Sequence, residues 1–229
     1  MNARLVGMAG VLGGMLLVLG GCTGILGLGG SAPVNFYVLS PVPESATARP
    51  ATPPTGQIGV GVAPVVVPEY MEGRMIVTRT SPYTVNLAEL QSWAAPLSEH
   101  ATAVLIDNLS TLIPSERVLR MPLPRPIAID FEARVRLETF ERTEDGSVQL
   151  VARWLLFDER TGEASQVKTS RYQSPVLLAS GAPAPMLITA AEDIEVYEAI
   201  VAAMSRVLGD LSREIAAAIR AAAMTTPSG

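Results

Sequence analysis

The segment IDFEARVRLETF, residues 129–140, carries the clearest two-residue alternation in the chain. Ile129, Phe131, Ala133, Val135 and Leu137 fall on one side. Asp130, Glu132, Arg134, Arg136 and Glu138 fall on the other. Successive side chains of a strand point to opposite faces, so the segment reads as a strand with one buried and one wet face. Its neighbours complete a sheet. EDGS supplies a hairpin turn, VQLVARWLLFDE returns, RTGE turns again, and SQVKTSRYQSP forms a third antiparallel strand.

A sheet that is apolar on one face needs a cover. Ile194, Tyr197, Val201, Met204, Leu208, Leu211 and Ile215 recur three and four apart, which predicts a long closing helix with its stripe on the sheet. Trp93, Leu97, Ala101, Val104, Leu105, Leu109 and Leu112 have the same helical spacing, with Pro114 as the stop. VNFYVLSP, QIGVGVAPVVVP, RMIVTRT and ERVLRM read as short strands. Residues 41–56 hold five prolines and no periodicity, and read as a loop. The predicted order is β-β-β-α-β-β-β-β-α. That order makes an α+β two-layer sandwich, a mostly antiparallel sheet with two helices packed on one face. The domain is placed at 34–223, with a disordered tail at 224–229.

The N-terminus has a different character. Arg4 is the only charge in residues 1–21, and an apolar, glycine-rich run leads to Cys22, the one cysteine of 229 residues. A lone cysteine forms no intrachain disulfide and no thiolate metal cluster. The run reads as an export signal over 1–21. Leu19-Gly20-Gly21-Cys22 resembles a bacterial lipobox, which implies cleavage after Gly21 and acylation of Cys22. One acyl chain holds a protein only marginally, and two or more make anchoring stable. Residues 22–33, rich in glycine, read as a flexible tether. Thr23 follows the cysteine, and by analogy with known sorting rules it favours the outer membrane.

Apolar residues make up 48% of the chain and the net charge is −5, with one lysine, Lys168. An acidic balance without a basic run argues against nucleic acid as a partner. The single histidine, His100, lies beside Glu99 with no ligand-spaced neighbour. No phosphate loop, nucleophile elbow or zinc-protease motif is present, and GVGVAP lacks the third glycine of a dinucleotide fingerprint. The expectation is a tethered, non-catalytic domain without metal or cofactor.

FYVLSP after the lipobox, IGVGVAPVVVPEYMEGRMIVTR, LQSWAAPLSEHATAVLIDNLSTLI and VRLETFERTEDGSVQLVARWLLFDERTG together resemble the ABC-type transport auxiliary lipoproteins of the PqiC-like group. Pro68, Tyr70, Ile76, Val77, Arg79, Trp93, Pro96 and Leu97 carry the likeness. The resemblance implies an outer-membrane lipoprotein facing the periplasm, anchored in outer-membrane lipid through acylated Cys22. It also implies a partnership with mammalian-cell-entry (MCE) domain transport proteins, in a system that moves lipid between membranes and supports outer-membrane integrity. A homo-oligomer is compatible with it. Two other readings stay open: a monomeric lipoprotein holding a small hydrophobic ligand, and an assembly factor for another outer-membrane complex.

Candidate partner contacts are Tyr70, Arg74, Arg79 and Trp93. Tyr and Arg are enriched at interface hot spots. The plainer alternatives are a solvated loop for residues 68–83 and a core position for Trp93. As a contact residue, Arg79 is expected to add little to the stability of the isolated domain.

Overall fold

The computed structural model describes residues 33–43, 58–113, 115–123, 127–186, 188 and 194–225. The chain divides into one unit, Met1–Pro33, and a second, Val34–Gly229. The second unit is described below. The expected signal, residues 1–21, and the tether up to residue 32 lie outside the described residues.

The alternating segment forms β6 (Phe131–Arg142), followed by β7 (Ser147–Asp158) and β8 (Glu163–Pro175). The preceding strands are β1 (Asn35–Tyr37), β2 (Val60–Val62), β3 (Met75–Ser81), β4 (Thr84–Trp93) and β5 (Val118–Arg120). A short 3-10 turn, Glu69–Met71, lies between β2 and β3. The helices are α1 (Leu97–Leu112) and α2 (Ile194–Thr225). Helix α2 therefore runs past the expected domain end at residue 223.

The β6–β7 and β7–β8 ladders are long and antiparallel. Both hairpin turns use a glycine at positive φ, Gly146 at 82° and Gly162 at 71°. Only glycine adopts that conformation without a Cβ penalty. Asp145 steadies the first turn by accepting from Thr143 Oγ1 at 2.7 Å and from the Ser147 amide at 3.0 Å. Val135 lies opposite Trp154, and Leu137 opposite Ala152, all buried. A register shift between Leu137 and Thr139 then moves the alternation by one residue. A bulge of this kind swaps which residues face the core. Phe140 becomes a core residue opposite Leu150, and Glu141 turns to the other face opposite Gln149.

The shorter strands widen the sheet on the other side of β6. Strand β2 sits in parallel between β5 and β6. Strand β3 forms an antiparallel hairpin with β4 and meets β6 at Thr78 and Arg142. Strand β1 adds in parallel to β4. Helix α2 packs against β6, β7 and β8, and α1 packs against α2 and β5. Trp154, Tyr197, Val207, Leu208, Leu211 and Ile215 fill the layer between them. The result is α+β, an open, mostly antiparallel sheet with two helices packed against it, as the alternation and the two stripes imply.

Three details depart from the sequence reading. Trp93 ends β4 instead of opening α1, which starts at Leu97 behind Pro96. Proline disfavours helical geometry in the residue before it and suits the start of a helix. The four-residue step from Trp93 to Leu97 is therefore coincidental. Strand β4 itself was not expected, because its burial lacks a two-residue period. Ile194, the first residue of the predicted stripe, is exposed at the helix end.

Candidate functional site

Cys22 and Gly21 lie outside the described residues. The other four candidates fall at or near the β3–β4 hairpin. Trp93 is 1% exposed and meets the His100 ring edge-on at 6.1 Å. It is a core side chain here, with no surface to offer. Arg74 is exposed, and its carbonyl accepts the Trp93 amide at 2.6 Å, tying the start of β3 to the end of β4. Tyr70 and Arg79 are brought together, and a third residue joins them: Glu141.

Glu141 became outward-facing through the bulge in β6, yet its side chain is only 1% exposed. The 3-10 turn carrying Tyr70 supplies one partner and β3 the other. Arg79 Nε donates to Glu141 Oε1 at 2.6 Å, and the Tyr70 hydroxyl donates to the same oxygen at 3.4 Å. Arg79 also donates to the Tyr70 hydroxyl at 3.2 Å and lies 5.9 Å from the centre of its ring. Burial, then the Glu141 charge, pushes the Tyr70 hydroxyl above its ordinary pKa. For Arg79, burial acts downward, but hydrogen bonding and charge from Glu141 win and raise its pKa. Glu141 Oε2 is buried and has no partner among the described residues.

This geometry corrects the expectation for Arg79. Removing one partner of a buried ion pair strands a charge away from water, which is strongly destabilising. Arg79 is thus a structural residue as well as a partly exposed one. Sequence reasoning missed Glu141 because its cover comes from a turn some seventy residues earlier, about which a local pattern carries no information.

A second polar cluster ties β8 to α2. Glu214 Oε1 pairs with Lys168, and Glu214 Oε2 accepts from Ser170 and from the Tyr172 hydroxyl at 2.9 Å. Trp154 Nε1 donates to Ser170 Oγ at 3.0 Å, linking the cluster to the core.

A groove of about 680 Å³ lies between residues 36–43 and α2. It is open to solvent. Phe36, Val38, Val42, Val201 and Ala202 supply apolar walls, and Glu198, Arg206, Asp210 and Arg213 its charges.

None of these places groups catalytic residues. Among the described residues no three His, Cys, Asp or Glu side chains are gathered where they could hold a metal ion. Burial lowers the His100 pKa, and no nucleophile or carboxylate is bonded to its ring in the described structure. Among the same residues no helix is long and apolar enough to cross a membrane. What the surface offers is contact: an aromatic-cation latch, an open groove, and strand edges.

Known proteins supply the family. The chain is 32% identical over 140 residues to the intermembrane transport lipoprotein PqiC of Escherichia coli K12, covering 61% of this chain and 69% of that protein. The Shigella flexneri lipoprotein of the same name matches equally. Among solved structures, protein XCC0632 from Xanthomonas campestris superposes with a TM-score of 0.64 at 13% identity, covering 84% of this chain and all of that one. An uncharacterized protein superposes at 0.60 with 20% identity, covering 82% of this chain and 99% of the other. At those identities the structures speak for the fold alone. Residues 37–216, spanning β1 to the core of α2, match the ABC-type transport auxiliary lipoprotein component pattern. The chain therefore belongs to the ABC-type transport auxiliary lipoprotein component family, a non-catalytic lipoprotein family whose role is auxiliary to transport.

Proposed function

We propose that this protein is a lipid-anchored accessory subunit of an MCE/ABC-type intermembrane lipid transport system. It sits at the outer membrane, faces the periplasm, and is held through acylated Cys22 after cleavage at Gly21. The observation that carries this reading is the likeness to an intermembrane transport lipoprotein across 69% of that protein's length. The described structure supports it by offering contact surfaces.

The partner-facing surface in this reading is the 68–83 segment. Tyr70 is 40% exposed, Tyr83 is 96% exposed at the tip of the β3–β4 hairpin, and Arg74 is exposed at the opposite end of β3. Tyrosine and arginine provide large contact area with a polar tip. Arg79 holds Tyr70 in place through Glu141.

Isolation of the native lipoprotein from detergent-solubilised membranes, with identification of its companions, tests the reading. An MCE-domain protein should co-purify, and Tyr83→Ala with Arg74→Ala should weaken that association without changing thermal stability. Isolation of the lipoprotein alone, or with an unrelated outer-membrane complex, contradicts it.

A further inference from the structure

Among the described residues β1 is an edge strand, and a groove lies beside it. In the β1–β4 ladder, Tyr37 lies opposite Trp93 and its carbonyl accepts the Ala94 amide at 3.0 Å. The backbone groups of Tyr37 therefore point toward β4. Backbone direction alternates along a strand, so those of Phe36, and of Val38 after it, point away from the sheet. Among the described residues β1 pairs with β4 alone. The side chains there are apolar and uncovered: Val34 is 43% exposed, Phe36 61% and Val38 57%. An open edge flanked by apolar side chains is a template for another strand unless something occupies it.

The groove opposite this edge is already formed. The Ser40 amide donates to Ser205 Oγ at 3.0 Å, and the Val42 amide to Asn108 Oδ1 at 2.7 Å. Asn108 in turn donates to Ser212 Oγ at 2.9 Å. These bonds fix residues 40–42 on α1 and α2. Gly209 permits the close approach, since a Cβ there would meet Val42 Cγ1 at 2.8 Å. Ala202, small and exposed, leaves the middle of the groove open. Its volume of about 680 Å³ is within the usual range for ligand sites.

We propose that an extended polypeptide segment of a partner adds to β1 as a strand and seats an apolar side chain in the groove between residues 36–43 and α2. The outward backbone groups select this occupant. An alkyl chain over the edge would bury those amides and carbonyls without partners, a cost that a polypeptide backbone avoids. Strand addition beside a helix supplies both requirements: main-chain bonds for affinity and a pocket for alternate side chains. The site is separate from the 68–83 surface and does not depend on the transport reading.

The test uses the full chain in detergent and a displayed library of peptides about eight residues long, a normal strand length, with Val, Ile, Leu or Phe at alternate positions. Selection should enrich binders, and hydrogen exchange at the Phe36 amide should slow at least about tenfold when they bind. Alternate N-methylation of an enriched peptide, which removes its donors and keeps its side chains, should weaken it at least about tenfold. Ala202→Arg, which fills the groove from an exposed position, should do the same with an unchanged melting temperature. Three results overturn the proposal. One is no enrichment over the Ala202→Arg protein. Another is binding that leaves Phe36 unprotected or tolerates N-methylation. The third is protection of Phe36 by phosphatidylglycerol vesicles and not by peptide.

Discussion

Two carboxylates fasten other elements to the sheet, and they are held in opposite ways. Glu214 joins α2 to β8 with both oxygens engaged, by Lys168 on one and by Ser170 and Tyr172 on the other, and it is 21% exposed. Glu141 joins the 3-10 turn and β3 to β6 through one oxygen, leaves the other without a described partner, and is 1% exposed. The first arrangement is redundant and open to water. The second concentrates a buried charge on one cation. A latch of the second kind tolerates little, and the surface it positions, around Tyr70, depends on it.

Arg79→Ala is the sharpest way to break this contrast. It should destabilise the folded protein by about 3–5 kcal/mol, because the buried Glu141 side chain loses its only cation among the described residues. Replacing both partners, Arg79→Met with Glu141→Leu, should recover most of that loss, since apolar residues of similar volume substitute well for a buried pair. Denaturant unfolding of both variants measures this. Equal stability of Arg79→Ala and the native chain would show that water reaches Glu141.

Leu208→Ala probes the other face of the sheet, where apolar packing and not charge holds α2. Leu208 is 1% exposed within the core. Its truncation should cost about 2–5 kcal/mol by thermal or denaturant unfolding. A negligible effect would mean that α2 is not held by this stripe.

Lys168→Ala should be milder, about 1 kcal/mol or less, because the pair is half exposed and Glu214 keeps two hydroxyl donors. The pH dependence should be visible instead. Burial acts to raise the Glu214 pKa, but hydrogen bonds from Lys168, Ser170 and Tyr172 outweigh it and bring the pKa below the ordinary 4.5. A carboxyl with a depressed folded pKa stabilises the protein above its unfolded value and loses that contribution as pH falls through the folded one. Stability of the native chain should therefore fall on acidification below about 4.5, and Glu214→Gln should flatten that limb. An unchanged acid limb in the Gln variant contradicts the assignment.

The same two regions differ in how far they could be read in advance. Strands β6, β7 and β8 were legible because alternation and glycine turns are local signals, and α2 because its stripe repeats over several turns. The widening of the sheet was not. Val60–Val62 reads as a buried strand, but nothing local says that it lies between β5 and β6. Parallel partners need no shared turn, so sequence proximity gives no clue to them. Tyr70 and Arg79 stood out by residue type. Their meeting point, Glu141, was hidden by the bulge after Leu137, which turned it to the outer face, and by the distant turn that covers it. Val42 and Gly209 show the same limit, since a helical glycine has no evident purpose until the loop against it is placed.

The proposed acyl anchor at Cys22 is the claim on which the placement of this folded domain beside a bilayer rests. Mass spectrometry of the N-terminal peptide of protein extracted from membranes, with metabolic palmitate labelling of the native and Cys22→Ala chains, tests it directly. The expected result is a mature chain that begins at Cys22, carries diacylglycerol and fractionates with the outer membrane, with labelling lost and the leader retained in Cys22→Ala. An unmodified Cys22, a mature chain beginning elsewhere, or labelling that survives Cys22→Ala would contradict it.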